Sequence, residues 1–259
     1  MASPLITNLK KNQFLLEELI KRDFKKKYKR TSLGMAWSVL SPLLMLTVMR
    51  LVFTQFFGRN MLHYTTFLFC GTLVISYFRE SSDQGMLAIT GNAQIITKVR
   101  VSKYLFLLSK NLQCLLNFAL TLIVFFLFCI FDHITFTWRF IFLLYPIICQ
   151  LVFNVGISMI LSAMQVFFRD TQYLWSIFCQ LLMYMSAIFY NIDTYSPKVQ
   201  HLFYLNPIYL FIRYFRKIVI EAAIPSLIFH LLILAYALLS IGIGCLVYKT
   251  NKTRFLYYL

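Results

Sequence analysis

Acid is what this sequence has least of. Nine Asp and Glu stand against 25 Lys and Arg in 259 residues, a net charge of +16. Charge of either sign is scarce too: 13% of the residues are charged, while 60% are hydrophobic. A soluble domain carries about 25% charged residues and must clothe itself in polar surface, so a soluble globule is excluded. The excess of base does not point to nucleic acid, because the basic residues cluster between and beside apolar runs, as cytoplasmic loops of membrane proteins do. A metal or redox centre has no support. The six cysteines (Cys70, Cys114, Cys129, Cys149, Cys179 and Cys245) lie inside apolar stretches without a CxxC and read as buried thiols. The four histidines have no ligand spacing. The first 32 residues are largely polar and basic, unlike a cleavable leader. No GxxxxGK[ST] phosphate loop occurs, so no ATP hydrolysis is expected in this chain.

What remains is an all-α integral membrane protein with six expected transmembrane helices. Residues 1–32 form a cytoplasmic N-terminus holding an amphipathic helix over 8–30. On a helical wheel Leu9, Leu16, Leu19 and Ile20 share one face, and Lys11, Glu18, Arg22, Lys25 and Lys29 the other, the pattern of a helix lying in the membrane interface. Its basic end also suits anionic headgroups.

Residues 33–248 form the transmembrane domain. The first span runs about Leu33–Phe57, with Trp37 near its start, Pro42 as a possible kink and Arg50 deep inside. The second begins near Tyr64. It is expected to continue past Phe78 towards Leu87, with Arg79 paired to Glu80 or Asp83, because about 15 residues are too few to cross a bilayer. Residues 88–103 are a polar cytoplasmic loop. The third span is about Tyr104–Phe131, and the fourth begins near Trp138 and ends before Arg169, long enough to tilt or to start at the interface. The fifth is about Tyr173–Tyr190. Residues 191–222 read as one or two short helices in the outer interface, re-entrant or gate-like. The sixth span is about Ala223–Tyr248, and 249–259 form a cytoplasmic tail. With both termini inside, seventeen basic residues fall on the cytoplasmic side and six outside, the sense of the positive-inside rule. Four of the six sit at 198–217, which marks that outer segment as a candidate for its own task.

The order of these features resembles the permease subunit of type-2 ABC exporters for polysaccharides, which move O-antigen, capsule or teichoic-acid chains. Four stretches carry the resemblance: Arg22-Asp23-Phe24-Lys25 through Tyr28-Lys29-Arg30-Thr31-Ser32-Leu33-Gly34-Met35-Ala36-Trp37 with Pro42; Asn92-Ala93-Gln94-Ile95-Ile96-Thr97-Lys98-Val99; Phe168-Arg169-Asp170-Thr171-Gln172-Tyr173 with Ser186-Ala187-Ile188-Phe189-Tyr190; and Leu205-Asn206-Pro207 with Arg213. Two places depart from the family pattern. Val101 and Ser102 stand where it has Phe-Pro, and Ala187 follows Ser186 where it tends to have proline.

The resemblance implies a homodimer in the bacterial cytoplasmic (inner) membrane, working with two copies of a cytoplasmic ATPase that holds ATP and Mg; this chain itself carries no cofactor. It implies an undecaprenyl-diphosphate-type glycan as cargo. Arg22, Lys25, Lys29 and Arg30 would meet the diphosphate. Asn92, Ile95, Lys98 and Arg100 would couple to the ATPase, although an ordinary solvated loop reads the same way. Phe53, Phe56 and Phe57, with Trp175, Phe178, Tyr184, Phe189 and Tyr190, could line a sugar path, although membrane aromatics also face lipid or core. Asn206, Pro207, Arg213, Arg216 and Lys217 would form the outer gate, unless the three cations merely snorkel to the headgroups.

Rival readings are a permease of the same fold for a drug, small lipid or peptide, a membrane-embedded enzyme acting on lipid-linked glycans, and a secondary carrier. Glu80 and Asp83 are the only paired carboxylates within the spans, a thin basis for an enzyme. A carrier lacks its usual inverted repeat and broken helices.

Overall fold

The computed structural model describes residues 13–28, 34–57, 63–98, 102–193, 195–251 and 255. These residues hold helices and turns with no strand among them. In chain order the α-helices are α1 (Gln13–Tyr28), α2 (Trp37–Phe57), α3 (Tyr64–Met86), α4 (Ala93–Lys98), α5 (Lys103–Phe131), α6 (Leu144–Phe167), α7 (Thr171–Met185), α8 (Pro197–Phe203), α9 (Pro207–Val219) and α10 (Leu227–Asn251). Short 3-10 turns precede α2, α4 and α6.

Three helical stretches are long and apolar enough to cross a membrane: Lys103–Phe131, Trp138–Phe167 and Leu227–Asn251. Together with the all-helical fold they make the chain an integral membrane protein. The expected long fourth span is present as Trp138–Phe167, with its first six residues wound as a 3-10 helix. As expected, α3 continues beyond Phe78, to Met86. Its Arg79 approaches Asp83 at 3.9 Å, whereas Glu80 accepts a hydrogen bond from Asn117 on α5.

The centre is α3, whose side chains are buried on nearly every side and which packs against α2, α5, α6 and α9. The closest pairing is α6 with α10. It rests on two glycines. A Cβ on Gly156 would lie 2.3 Å from the Ser240 carbonyl carbon, and one on Gly244 would lie 2.8 Å from the Gly156 carbonyl oxygen. Helices without side chains at the crossing meet backbone to backbone, as membrane helices do where hydrophobic burial cannot drive association.

Two expectations change and a third is extended. The helix expected over Tyr173–Tyr190 starts at Thr171 and stops at Met185, and Ser186–Tyr190 form an irregular turn. Ala187 sits there with φ of 49°, a backbone conformation closed to proline, so the departure from Ser-Pro goes with a differently built turn. The outer segment holds two helices, but α9 does not lie along a surface. Ten of its thirteen residues are buried, including Tyr209, Phe211, Tyr214 and Phe215: neighbouring segments cover its apolar side and, at Arg216, also the stripe shared by Arg213, Arg216 and Lys217. In α1 the expected face is the covered one, with Leu19 buried and Leu16 and Ile20 half-buried, but the same stripe also buries Asp23, which the wheel omitted.

Replacing Gly156 with Leu forces α6 and α10 apart. The expected loss is about 1–3 kcal/mol, measured as a lower thermal midpoint of the detergent-solubilised chain; an exposed change such as Leu231→Ala leaves the midpoint near wild type.

Candidate functional site

Two assemblies hold most of the candidate residues, one at each end of α3. The first gathers α1, α4 and the starts of α5 and the tail. Leu19, Ile89, Ile96, Phe106, Ala163, Val166 and Phe255 form one small apolar core, with Ile95 packed beside it. Phe255 is fully buried, its ring 5.9 Å from Phe167 and 5.4 Å from Tyr248, with the Lys103 ammonium 5.0 Å above it.

A polar cluster stands beside that core. Asp23 is 4% exposed and receives two cations: Lys110 Nζ at 3.1 Å and Arg22 Nη2 at 2.8 Å. Arg22 Nη2 also donates to Asn92 Oδ1 at 2.9 Å, while Asn92 Nδ2 donates to the Ala88 carbonyl. One side-chain chain thus joins α1, the turn before α4 and α5. Buried ions hold only when paired, and Asp23 is paired with cations from two helices, its Oδ1 also accepting a hydrogen bond from Arg22 Nε at 2.9 Å.

The sequence-predicted residues sort accordingly. Arg22 and Asn92 come together directly. Lys25 on α1 and Lys98 on α4 are exposed. Lys29, Arg30 and Arg100 lie outside the described residues. Asp23 and Lys110 were missed as a pair; the signal was a lone acid inside the basic run Lys21–Lys27.

The second assembly forms where α9 meets the start of α3 and the turn after α7. Asn206 caps α9, its Oδ1 accepting from Ile208 N at 3.0 Å and its Nδ2 donating to Ser186 Oγ at 2.9 Å. Pro207 follows at the first helical position, where its missing N–H costs nothing. Arg213 is paired with Glu221 at 2.9 Å and Asp193 at 3.3 Å. The Lys217 ammonium lies 5.9 Å from the Phe229 ring.

Arg216 is 3% exposed. Its Nη1 donates to the Ala187 carbonyl at 2.8 Å and its Nη2 to the Ile188 carbonyl at 2.9 Å. Nε and Nη2 both reach the Phe67 carbonyl, at 3.3 and 3.2 Å, and the guanidinium carbon lies 3.3 Å from the Phe67 ring centroid. Arg216 is therefore a buried clasp and not a side chain snorkelling to headgroups.

The aromatic candidates do not form one strip. Trp175 is half-buried, with its indole N–H donating to Ser82 Oγ at 2.9 Å and its ring 5.1 Å from Phe178. Phe178 and Tyr184 are exposed on α7, but Tyr184 falls half a turn out of phase with Trp175. Phe189 is buried in the turn beyond. Tyr190 is half-buried there and donates to the Tyr184 carbonyl. The side chains of Phe53, Phe56 and Phe57 lie outside those described.

A search among known families matches residues 15–220 to the family described as ABC-2 type transporter. The chain belongs to that family. It is a transporter permease rather than a catalyst. The permease is also similar to the O-antigen export system permease protein RfbA of Klebsiella pneumoniae, 28% identical over 247 residues that cover 93% of each chain. A protein of the same name from Myxococcus xanthus is 27% identical over 224 residues, 86% of each chain. The matched family region begins within α1 and ends just after α9, so it takes in both assemblies.

Asp23→Lys leaves Lys110 facing a like charge and is expected to cost about 3 kcal/mol, read as faster amide exchange in α1. Adding Lys110→Asp restores the opposite-charge pair and a large part of the protection. Equal exchange in the single and double variants would show that the pair does not seat α1.

Proposed function

We propose that this permease is the membrane subunit of an ATP-driven exporter of lipid-linked polysaccharide, of the undecaprenyl-diphosphate type. It spans the bacterial cytoplasmic membrane six times, through α2, α3, α5, α6, the stretch from α7 through the Ser186–Tyr190 turn, and α10, with both termini in the cytoplasm; the 15 residues of α7 are too short to cross alone. It works as a homodimer with two copies of a separate ATPase that binds ATP and Mg. The observation that carries this reading is the likeness, over 93% of both chains, to a permease named for O-antigen export.

The geometry supports a division of labour. The assembly of α1 and α4 is the surface on which the ATPase acts, with Ile95 rooted in the apolar core and Lys98 exposed. Force applied to α4 passes into α1 through Arg22–Asn92 and into α5 through Asp23–Lys110. Lys25, Lys29 and Arg30 bind the lipid diphosphate, since charge-assisted contacts to phosphate are the strong ones. Arg22, already engaged by Asp23 and Asn92, serves attachment instead. The segment α8–α9 is the outer gate, and α1 seats at the membrane interface through the residues not covered by protein.

The test is ATP hydrolysis by the chain co-purified with its ATPase in lipid, with and without a lipid-diphosphate-linked glycan. The glycolipid is expected to stimulate hydrolysis, and Lys29→Ala with Arg30→Ala to raise its half-maximal concentration about tenfold. Stable assembly with no response to any such lipid would sink the cargo assignment and keep the ATP-driven permease. Failure to bind an ATPase would sink both.

A further inference from the structure

A cleft of about 680 Å³ opens between α2, α3 and α5, within the range of roughly 300–1,000 Å³ usual for small-ligand sites. Its walls carry two chemistries. Trp37 from α2, 42% exposed, presents a flat apolar surface, and the buried rings of Tyr77 from α3 and Phe118 from α5, packed on each other with centroids 4.6 Å apart, back the cleft. Between them stand Arg79, Glu80, Asp83 and Gln84 on α3 and Asn117 on α5. The polar lining continues along α3 to Thr72, roughly 18 Å of helix from Gln84.

The polar groups are held unequally. Asn117 Nδ2 donates to Glu80 Oε1 at 2.7 Å, which fixes that carboxylate as a rear wall. Arg79 and Asp83 stand 3.9 Å apart with side chains 53% and 43% exposed. Such an open pair contributes little to stability and can exchange its contact for one to a ligand. Ionisable groups on a membrane-embedded helix are costly and mark substrate paths by default.

The charge in the cleft selects among ligands. Among the described residues of the lining, one cation stands with two carboxylates in a chain whose net charge is +16. A diphosphate would be repelled here and drawn to the basic end of α1. A hydroxyl both donates and accepts. Carboxylates accept, a guanidinium donates, and the amides of Gln84 and Asn117 do both. Adjacent hydroxyls on a ring can thus be satisfied from several walls, while the C–H faces of the ring pack on aromatic planes.

We propose that the cleft between α2, α3 and α5 is a binding site for uncharged sugar rings, separate from the site that holds the lipid diphosphate. This rests on the exporter reading and deepens it. Trp37 is the platform at the mouth, Asp83 and Arg79 take ring hydroxyls on entry, and Glu80, oriented by Asn117, lines the interior.

The experiment uses the full-length chain in lipid nanodiscs and two probes. One is the glycan released by mild acid from the host's own lipid-linked pool; the other is a sugar-free long-chain isoprenoid diphosphate. Wild type is expected to bind both. Trp37→Ala and Asp83→Asn are each expected to weaken glycan binding about tenfold and to leave the isoprenoid diphosphate within about twofold. Glycan binding unchanged in both variants overturns the proposal. So does a wild type that binds the isoprenoid diphosphate and no glycan, a result that leaves the exporter standing. Binding of neither probe overturns the exporter reading as well. Retention of an aminophospholipid that is lost in Asp83→Asn, without glycan binding, makes the cleft a headgroup site and overturns the sugar assignment.

Discussion

Arg216 carries its positive charge into the packed end of the bundle, and among the described residues no carboxylate pairs with it. Four hydrogen bonds to the carbonyls of Phe67, Ala187 and Ile188 do so instead, helped by the Phe67 ring beneath it. Moving an ion out of water is costly unless it is hydrogen-bonded, and four of the five N–H donors are met here, so the arrangement holds only if three chain segments stay where they are. α3 must offer its first turn, the chain after α7 must break, and α9 must lie between them. Gly71 makes the approach possible. A Cβ there would fall 3.2 Å from Arg216 Nη2 and 3.0 Å from the Ile188 side chain. The left-handed Ala187 belongs to the same requirement, since it turns consecutive carbonyls towards one guanidinium, whose planar fork suits such multiple contacts.

The opposite end of α3 is organised by a different balance. There the ion is an acid, Asp23, and its partners are cations from α1 and α5. The apolar core beside it recruits α4, α6 and the tail residue Phe255. A helix spanning α3's 23 residues connects the two ends over roughly 35 Å. On the proposed reading, ATP-driven movement enters at the Asp23 end and the gate lies at the Arg216 end, with α3 the rigid element common to both. The sugar cleft opens along the flank of that same helix.

Much of this was legible in the sequence, because bilayer thickness and backbone satisfaction leave few choices. The long apolar runs became α5, α6 and α10. The shortness of the run to Phe78 required α3 to continue, as it does to Met86. What escaped was pairing between distant segments. Arg216 lies 149 residues from Phe67, and a carbonyl acceptor has no side chain to betray it. Arg216 therefore looked like one of several outer cations. Asp23 looked like an exception in a basic run, since its partner Lys110 sits in another helix. Tyr184 and Trp175 looked like one lining because they share a helix, but their spacing turns them apart. The stop of α7 at Met185 was hidden because Ser186 and Ala187 carry no proline or glycine.

Amide exchange across α9 and residues 186–190, in wild type and in Arg216→Lys, tests the clasp most directly. Lysine keeps the charge, but its single nitrogen with three donors cannot reproduce four bonds made from the three nitrogens of a planar guanidinium. The account predicts that protection falls throughout α9 and the Ser186–Tyr190 turn while the α6–α10 pair keeps its protection. Protection of α9 unchanged by the substitution would contradict it, because the segment would then be held without Arg216.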